Sequence, residues 1–259
     1  MPPTYGGAMA KDQTVIKGIV LRSVDTKESD KILTVLTAGM GKVSVVAKGA
    51  RSRRSKVTAA TQFLAYSELV LSESHGWQYL SEASTIELFD GVRQDVELLS
   101  LASYFAELTE AVAYEESEAG EILSLLLNAL YALGTLKKPP ELVRASFEIK
   151  LMSLIGFEPL LERCACCGAE RPEQPVLDIA EGIVHCRGCA VGTPGRGLTL
   201  TDGALAAMRH VLYGDPRRLY SFTLEEPDQR CYTRTAEAYV TAMLDRNFRT
   251  LDFYKSLRG

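Results

Sequence analysis

The sequence predicts a multidomain α+β protein in which a five-stranded β-barrel precedes an all-α domain carrying a small cysteine-rich module. Three observations lead to this class. Residues 14–82 contain short apolar runs separated by turn residues, as strands require. From Asp90 onward, the apolar residues recur at helical spacings. Two Cys-x-x-Cys pairs, separated by 18 residues, then interrupt the helical part.

The strand-like region divides into five segments, near residues 15–21, 31–37, 42–48, 63–72 and 78–82. Glycines in the segments 39–41 and 74–76 favour tight turns, because glycine adopts positive φ without steric cost. The number and spacing of the strands are typical of a small barrel of the oligonucleotide-binding type, the OB fold. An open sheet of another topology remains an alternative.

The helical region contains three segments before the cysteines and at least two after them. A helix follows Asp90, a second spans about 120–133, and Pro139 and Pro140 begin a third. In this third helix the predicted core face is Leu142, Phe147, Leu151 and Leu154, and the predicted outer face is Glu141, Arg144, Glu148 and Lys150. After the cysteines, Thr201 is a candidate N-cap and a last helix lies near 234–244.

Composition indicates a folded protein outside the membrane. The chain has 259 residues, of which 46% are hydrophobic and 24% are charged, close to the globular average. Its longest apolar stretch falls well short of the roughly 20 residues that a membrane-spanning helix needs. The first ten residues lack the apolar segment of a secretory signal, and we therefore expect a flexible tail and a cytoplasmic location.

The charge is unevenly distributed along the chain. The formal net charge is −4, but residues 1–80 carry +5, residues 81–163 carry −9, and the remainder is neutral. A basic first third on an acidic chain suggests a local surface that binds polyanions. A solvated basic face is the alternative that composition leaves open.

Four of the six cysteines have the spacing of a zinc site: Cys164, Cys167, Cys186 and Cys189. Each two-residue gap lets one tight knuckle present two thiolates to a tetrahedral Zn²⁺, and Gly168 and Gly188 suit the sharp backbone that this requires. Four protein thiolates leave no open position for water, so we expect one structural zinc. Two disulfides are the alternative, which a reducing compartment disfavours.

Three other side chains complicate the cysteine assignment. Cys166 offers a third sulfur to the first pair, but only Cys164 and Cys167 keep the two-residue gap. His185 lies beside Cys186 and breaks the knuckle spacing. Cys231 stands alone on a predicted helix, where a cysteine is more often a small apolar residue than a ligand.

The second candidate site is a basic loop, residues 48–56, which leaves the third predicted strand. Its cations are Lys48, Arg51, Arg53, Arg54 and Lys56. Barrels of the OB type bind nucleic acid strands across this face, with basic side chains reaching the phosphates, so the five cations are candidate DNA-binding residues. Aromatic side chains nearby could stack on bases, although we expect most of them in the barrel core: Phe63, Tyr66, Trp77 and Tyr79.

Enzyme signatures are missing from the sequence. The segment 39–44 superficially matches a phosphate-binding loop, but position 36 is leucine and the segment joins two predicted strands. The HExxH, GxSxG and dinucleotide-binding motifs do not occur. We therefore predict a protein that is not an enzyme, while a hydrolase with an unrecognised carboxylate pair remains a rival reading.

Four segments, taken in order, resemble the bacterial recombination mediator family RecO: GIVLRSVDTKESDKILTVLT, GKVSVVAKGARSRRSK, FEIKLMSLIGFEP and the two Cys-x-x-Cys pairs. The resemblance covers roughly residues 15–190. It implies an OB-fold barrel, a helical domain and a zinc module. It also implies binding of single- and double-stranded DNA, annealing of complementary strands, and assistance in loading RecA. The partners it implies are RecR and the single-stranded DNA-binding protein.

The expected organisation follows from these observations. It comprises a flexible tail (1–13), an OB-fold DNA-binding domain (14–83), a helical domain (84–162), a four-cysteine zinc module (163–195) and C-terminal helices packing on the helical domain (196–259). The expected function is DNA repair and recombination without catalysis, in the cytoplasm and at the nucleoid during repair. The alternative is a zinc-containing OB-fold factor that binds RNA or the ribosome.

Overall fold

The computed structural model describes residues 13–190 and 197–258. The predicted tail therefore lies outside the described residues, apart from Gln13. The chain divides into two compact units. The barrel unit contains the described residues up to Phe89 together with Ala113–Leu123, and the helical unit contains Asp90–Val112 and the described residues from Ser124 onward. None of the described helices combines the length and the apolar character needed to cross a membrane.

The barrel unit contains the five predicted strands, which close into a barrel in the order β1-β2-β3-β5-β4. Every neighbouring pair is antiparallel except β3 with β5. The prediction of a five-stranded OB-like barrel is confirmed, and its first and last strands are longer than the sequence indicates. The strands are β1 (Gln13–Thr26), β2 (Asp30–Thr37), β3 (Lys42–Ala47), β4 (Tyr66–Ser74) and β5 (Trp77–Glu87).

The interior of the barrel is aliphatic. Alternate side chains of each strand point inward, as the two-residue period of a strand requires. The buried core consists of Ile16, Val20, Leu33, Val35, Val43, Val45, Ala47, Ala50, Leu69 and Leu71. Because Ala50 belongs to the loop after β3, this core also holds the base of the basic loop.

The helical unit has helices on both sides of the cysteine segment in sequence. Helix α4 packs against α5 and α6, and α7 packs against α2. A three-stranded sheet of β6 (Val176–Asp178), β7 (Ile183–His185) and β8 (Gly197–Thr199) lies between α4 and α5 in the chain. The helices are α1 (Asp90–Arg93), α2 (Val96–Val112), α3 (Gly120–Gly134), α4 (Pro140–Leu154), α5 (Asp202–Tyr213), α6 (Glu226–Leu244) and α7 (Arg249–Ser256).

Two of these helices differ from the sequence prediction, and one predicted cap is present. The side chain of Thr201 accepts a hydrogen bond from the backbone N–H of Ala204 at 3.1 Å, as an N-cap does. Helix α6 begins eight residues earlier than position 234, at Glu226. Helix α7 has no counterpart in the prediction, because only Leu251 and Tyr254 of its eight residues are buried and the apolar pattern is too sparse to read.

The outer face predicted for α4 is wrong at two positions. Arg144 and Glu148 are 3% and 0% exposed, and the guanidinium donates to the Glu148 carboxylate at 2.9 and 3.2 Å. Glu141 accepts from the same guanidinium at 2.8 Å, and the Tyr104 hydroxyl donates to Glu148 at 2.9 Å. Other helices cover this side of α4, so its charges are buried as a hydrogen-bonded group.

Candidate nucleic-acid interface and metal centre

The basic loop is held in place at its base by contacts with the β1–β2 turn. The backbone N–H of Gly49 donates to the Asp30 carboxylate at 2.8 Å, and that of Arg51 donates to the Ser29 carbonyl at 2.9 Å. Ala50, between them, is fully buried in the barrel core. The loop therefore leaves the barrel in a defined direction, with its charged side chains outside.

The five cations of the loop are all exposed, but they have different surroundings. Lys48 lies over the ring of Tyr79, with its Nζ atom 4.6 Å from the ring centroid. Arg51 forms an ion pair with Asp25 at 3.2 Å. Within the described part of the chain, the side chains of the other three have no acidic partner: Arg53, Arg54 and Lys56. These three are the cations most available to a polyanion.

The four aromatic side chains near the loop are outside the barrel core, contrary to the prediction for most of them. Trp77 is 49% exposed, and the other three are half-buried: Phe63, Tyr66 and Tyr79. For Trp77 and Tyr79 the reason is the register of β5, which points Leu80 inward against Leu71 and therefore turns these two side chains outward. A signal for Trp77 was present in the sequence, since it directly follows the turn glycine Gly76.

Four cysteine sulfur atoms converge in the helical unit. The Sγ atoms of Cys164, Cys167, Cys186 and Cys189 all lie within 4.8 Å of one another. The Sγ atoms of Cys167 and Cys186 are 3.7 Å apart, and the described cysteines are all free thiols. Each residue offers one ligand atom, so the cluster could hold a metal ion.

Tight backbone turns present the sulfurs in pairs. At the first turn, the carbonyl of Cys164 accepts from the N–H of Gly168 at 2.9 Å, and Gly168 has a φ of +75°. At the second, the carbonyl of Cys186 accepts from Cys189 at 2.9 Å. Gly168 uses the positive φ expected of it, whereas Gly188 is not among the glycines with positive φ.

Backbone N–H groups also stabilise charge on the most buried sulfur. The N–H of Cys186 donates to the Sγ atom of Cys164 at 3.3 Å. Burial raises the pKa of the Cys164 thiol, but hydrogen bonds from the backbone of Cys167, Cys186 and Cys166 outweigh it and lower this pKa to about 5. A thiolate at this position is the form that binds metal.

The three competing side chains are not part of the four-sulfur cluster. Cys166 is exposed, and Cys231 lies on α6 with its thiol 3.6 Å from the Thr199 carbonyl. The Nδ1 atom of His185 is buried without a hydrogen-bond partner among the described residues.

Family models match almost the whole chain. The model of the recombination protein O N terminal matches residues 9–89, and the model of the recombination protein O C terminal matches residues 93–252. The first covers the barrel strands, and the second covers the cysteine cluster and helices α2 to α6 in full.

Curated relatives named DNA repair protein RecO match over nearly their full length. The relative from Acetivibrio thermocellus is 31% identical over 93% of this chain and 95% of its own. That from Symbiobacterium thermophilum is 34% identical over 94% and 97%, and that from Anaeromyxobacter dehalogenans is 35% identical over 91% and 92%. With both family models matched and this coverage, the chain belongs to the RecO family of DNA repair proteins.

Proposed function

We propose that this protein is a non-enzymatic mediator of DNA repair whose barrel binds single- and double-stranded DNA through the phosphates. The observation that carries the proposal is the basic loop with Arg53, Arg54 and Lys56 exposed and without acidic partners in the described chain. Guanidinium groups match phosphate oxygens in shape and charge. Contacts of this kind position a strand without reading its sequence.

Annealing of complementary strands follows from the same surface. Two strands repel each other through their phosphates, and a surface that neutralises phosphates lowers this repulsion. From family membership we further propose that the protein assists RecA loading together with RecR on strands coated by single-stranded DNA-binding protein, in the cytoplasm at the nucleoid.

For the cysteine cluster we propose one structural Zn²⁺ held by Cys164, Cys167, Cys186 and Cys189. Zinc–sulfur bonds of about 2.3 Å place the sulfurs of a tetrahedral site about 3.8 Å apart, and the 3.7 Å between Cys167 and Cys186 agrees with this spacing. A disulfide requires a sulfur separation of about 2.05 Å. When bound, zinc would crosslink two knuckles whose segment has few large apolar side chains.

A salt-dependent titration tests the proposed DNA binding. Labelled oligonucleotides in single-stranded, duplex and RNA forms of one sequence are titrated with the full-length protein at several salt concentrations. We expect both DNA forms to bind, with affinity that falls steeply as salt rises, because phosphate contacts release counterions. Preference for RNA, together with failure to anneal DNA, would instead favour the RNA-binding alternative.

Mediator activity has its own test. RecA assembly is followed on a single strand coated with single-stranded DNA-binding protein, with RecR and this protein added singly and together. We expect faster assembly only when both are present. If RecA assembles in every mixture at the rate seen without RecR and this protein, the mediator role is contradicted and only the proposed DNA binding stands.

A further inference from the structure

A groove of about 330 Å³ opens on the outside of the barrel beside the start of β5. The start of β5 and the neighbouring start of β3 contribute to it, and a segment that follows α2 forms its far side. Its lining includes Lys42 of β3, Trp77 of β5, and Glu115 and Glu116 of the segment after α2. All of them belong to the barrel unit.

Trp77 is the feature that gives this groove a binding chemistry. It follows a two-residue turn in which His75 and Gly76 both have positive φ. Trp77 is therefore the first residue of β5, next to the turn of the β4–β5 hairpin and opposite Ser74. Its side chain is 49% exposed, and it is the only tryptophan in the sequence. A tryptophan with half its surface in water gains free energy when a flat apolar partner covers it.

The next outward side chain of β5 continues this surface toward the basic loop. Trp77 and Tyr79 point to the same outer face, and Lys48 lies over the Tyr79 ring at 4.6 Å. Side chains two apart on a strand are separated by about 6.7 Å, twice the rise of about 3.4 Å per nucleotide in a stacked strand. The spacing suits an extended single strand better than a stacked duplex.

The opposite side of the groove carries two carboxylates. Glu115 and Glu116 line it, and backbone hydrogen bonds hold this segment against the barrel, from Lys42 to the Tyr114 carbonyl at 2.9 Å and from Glu116 to the Met40 carbonyl at 3.1 Å. Carboxylates repel a phosphate but not a neutral base. A bound strand can therefore place its phosphates against the cations of the basic loop and one neutral base in the groove beside the carboxylates.

We propose that Trp77 is a stacking platform for an unpaired nucleobase, with Tyr79 as the neighbouring platform. The inference rests on the DNA binding proposed above and adds selectivity to it: the basic loop attracts any nucleic acid, and Trp77 favours single strands. Bases in a duplex are paired and stacked on one another, so they do not offer a free face to Trp77. Stacking is tolerant of sequence, because every base has a π face.

The unmodified protein provides the first test, since all tryptophan emission comes from one side chain. Emission is excited where tyrosine does not absorb, and the full-length protein is titrated with a single strand, the matching duplex and an abasic single strand that keeps the phosphates. We expect strong quenching by the single strand and little by the other two, while the polarisation of labelled strands reports binding of all three.

Variants provide the second test. Trp77→Ala should weaken single-strand binding by about 5- to 150-fold, the range that loss of one base–aromatic stack produces, and should leave duplex and abasic-strand affinity nearly unchanged. Trp77→Phe should restore part of the loss, because it keeps an aromatic face. The matched control is Tyr131→Ala, which removes a 50% exposed aromatic side chain from the helical unit.

The outcomes separate this inference from the proposed function. Single strands that bind with a steep salt dependence, without quenching and with equal affinity for Trp77→Ala, would overturn the stacking role and leave the phosphate contacts standing. Equal losses on single strand, duplex and abasic strand would overturn it as well, by showing that the substitution damages the barrel. If no nucleic acid binds at all, the proposed function fails and this inference fails with it.

Discussion

The basic loop and helix α4 use arginine in opposite ways. Arg53 and Arg54 are exposed on the loop of the barrel unit, and neither has an acidic partner in the described chain. Arg144 on α4 is 3% exposed and bonded to Glu141 and Glu148. The first kind of arginine leaves its hydrogen-bonding capacity to a partner molecule, whereas the second uses that capacity within the fold.

Burial and pairing, more than the number of charges, therefore decide what a cation does. A buried charge must be paired, so its removal should change the stability of the protein. An exposed and unpaired cation contributes little to stability, so its removal should change binding alone. Substitutions in the buried charged group of α4 and in the basic loop should therefore fall into these two classes of effect.

The largest expected effect comes from the cysteine cluster. Cys186→Ser removes one of four proposed zinc ligands, and structural zinc contributes on the order of 10 kcal/mol or more to the folding of small modules. We expect loss of zinc by elemental analysis and rapid proteolysis of the segment around residues 163–190. The matched control, Cys231→Ser, should retain about one zinc per chain. Purified parent protein without metal and with its four cysteines oxidised would contradict the assignment.

The buried ion pair should give the next largest effect. Glu148→Gln leaves the Arg144 charge without its most buried partner, and breaking such a pair costs about 3–5 kcal/mol. Urea unfolding should show this loss in the free energy of unfolding, with unchanged DNA affinity in the folded protein. The matched control is Glu226→Gln, which breaks an exposed ion pair with Arg230 on α6 and should change stability little. Equal effects would show that burial does not set the cost of losing an ion pair in this protein.

The unpaired cations of the basic loop should affect binding without affecting stability. Each phosphate contact contributes about −0.7 to the log–log salt slope on single strands, so changing Arg53, Arg54 and Lys56 together to Ala should flatten it by up to about two units. Losses should be similar on unrelated sequences, and annealing should slow.

A control variant removes three cations from the helical unit instead: Lys137, Lys138 and Arg249, all changed to Ala. It matches the change in net charge and should keep the parent's slope. Before the slopes are compared, the circular dichroism spectrum and zinc content of both triple variants must match the parent. An unchanged slope in a folded loop variant would show that the loop is a solvated surface.

The smallest effect is expected at the one loop arginine that has an acidic partner. Arg51 is engaged by Asp25 at 3.2 Å and is therefore less free to contact a phosphate. Arg51→Ala should change the salt slope less than Arg54→Ala does, in the same titration. A larger change for Arg51 would show that DNA displaces Asp25 and that an acidic partner does not predict which cations of the loop bind.

Local patterns in the sequence were sufficient for the barrel strands, for the helices other than α7 in outline, and for the candidate residues. Alternating apolar residues and turn glycines predicted five strands, because successive side chains of a strand point to opposite faces and this pattern repeats every two residues. The cap at Thr201 and the pairing of each Cys-x-x-Cys depend on similarly short segments. The cluster of five cations in nine residues is also visible without a fold.

Tertiary structure decided the features that depend on distant parts of the chain. Arg144 and Glu148 are buried because other helices cover α4, and Trp77 is exposed because the register of β5 turns it away from an aliphatic core. Arg51 meets Asp25 only because the barrel brings the end of β1 next to the basic loop. Burial and pairing arise from packing between residues far apart in sequence, whereas a local pattern records only the preferences of near neighbours.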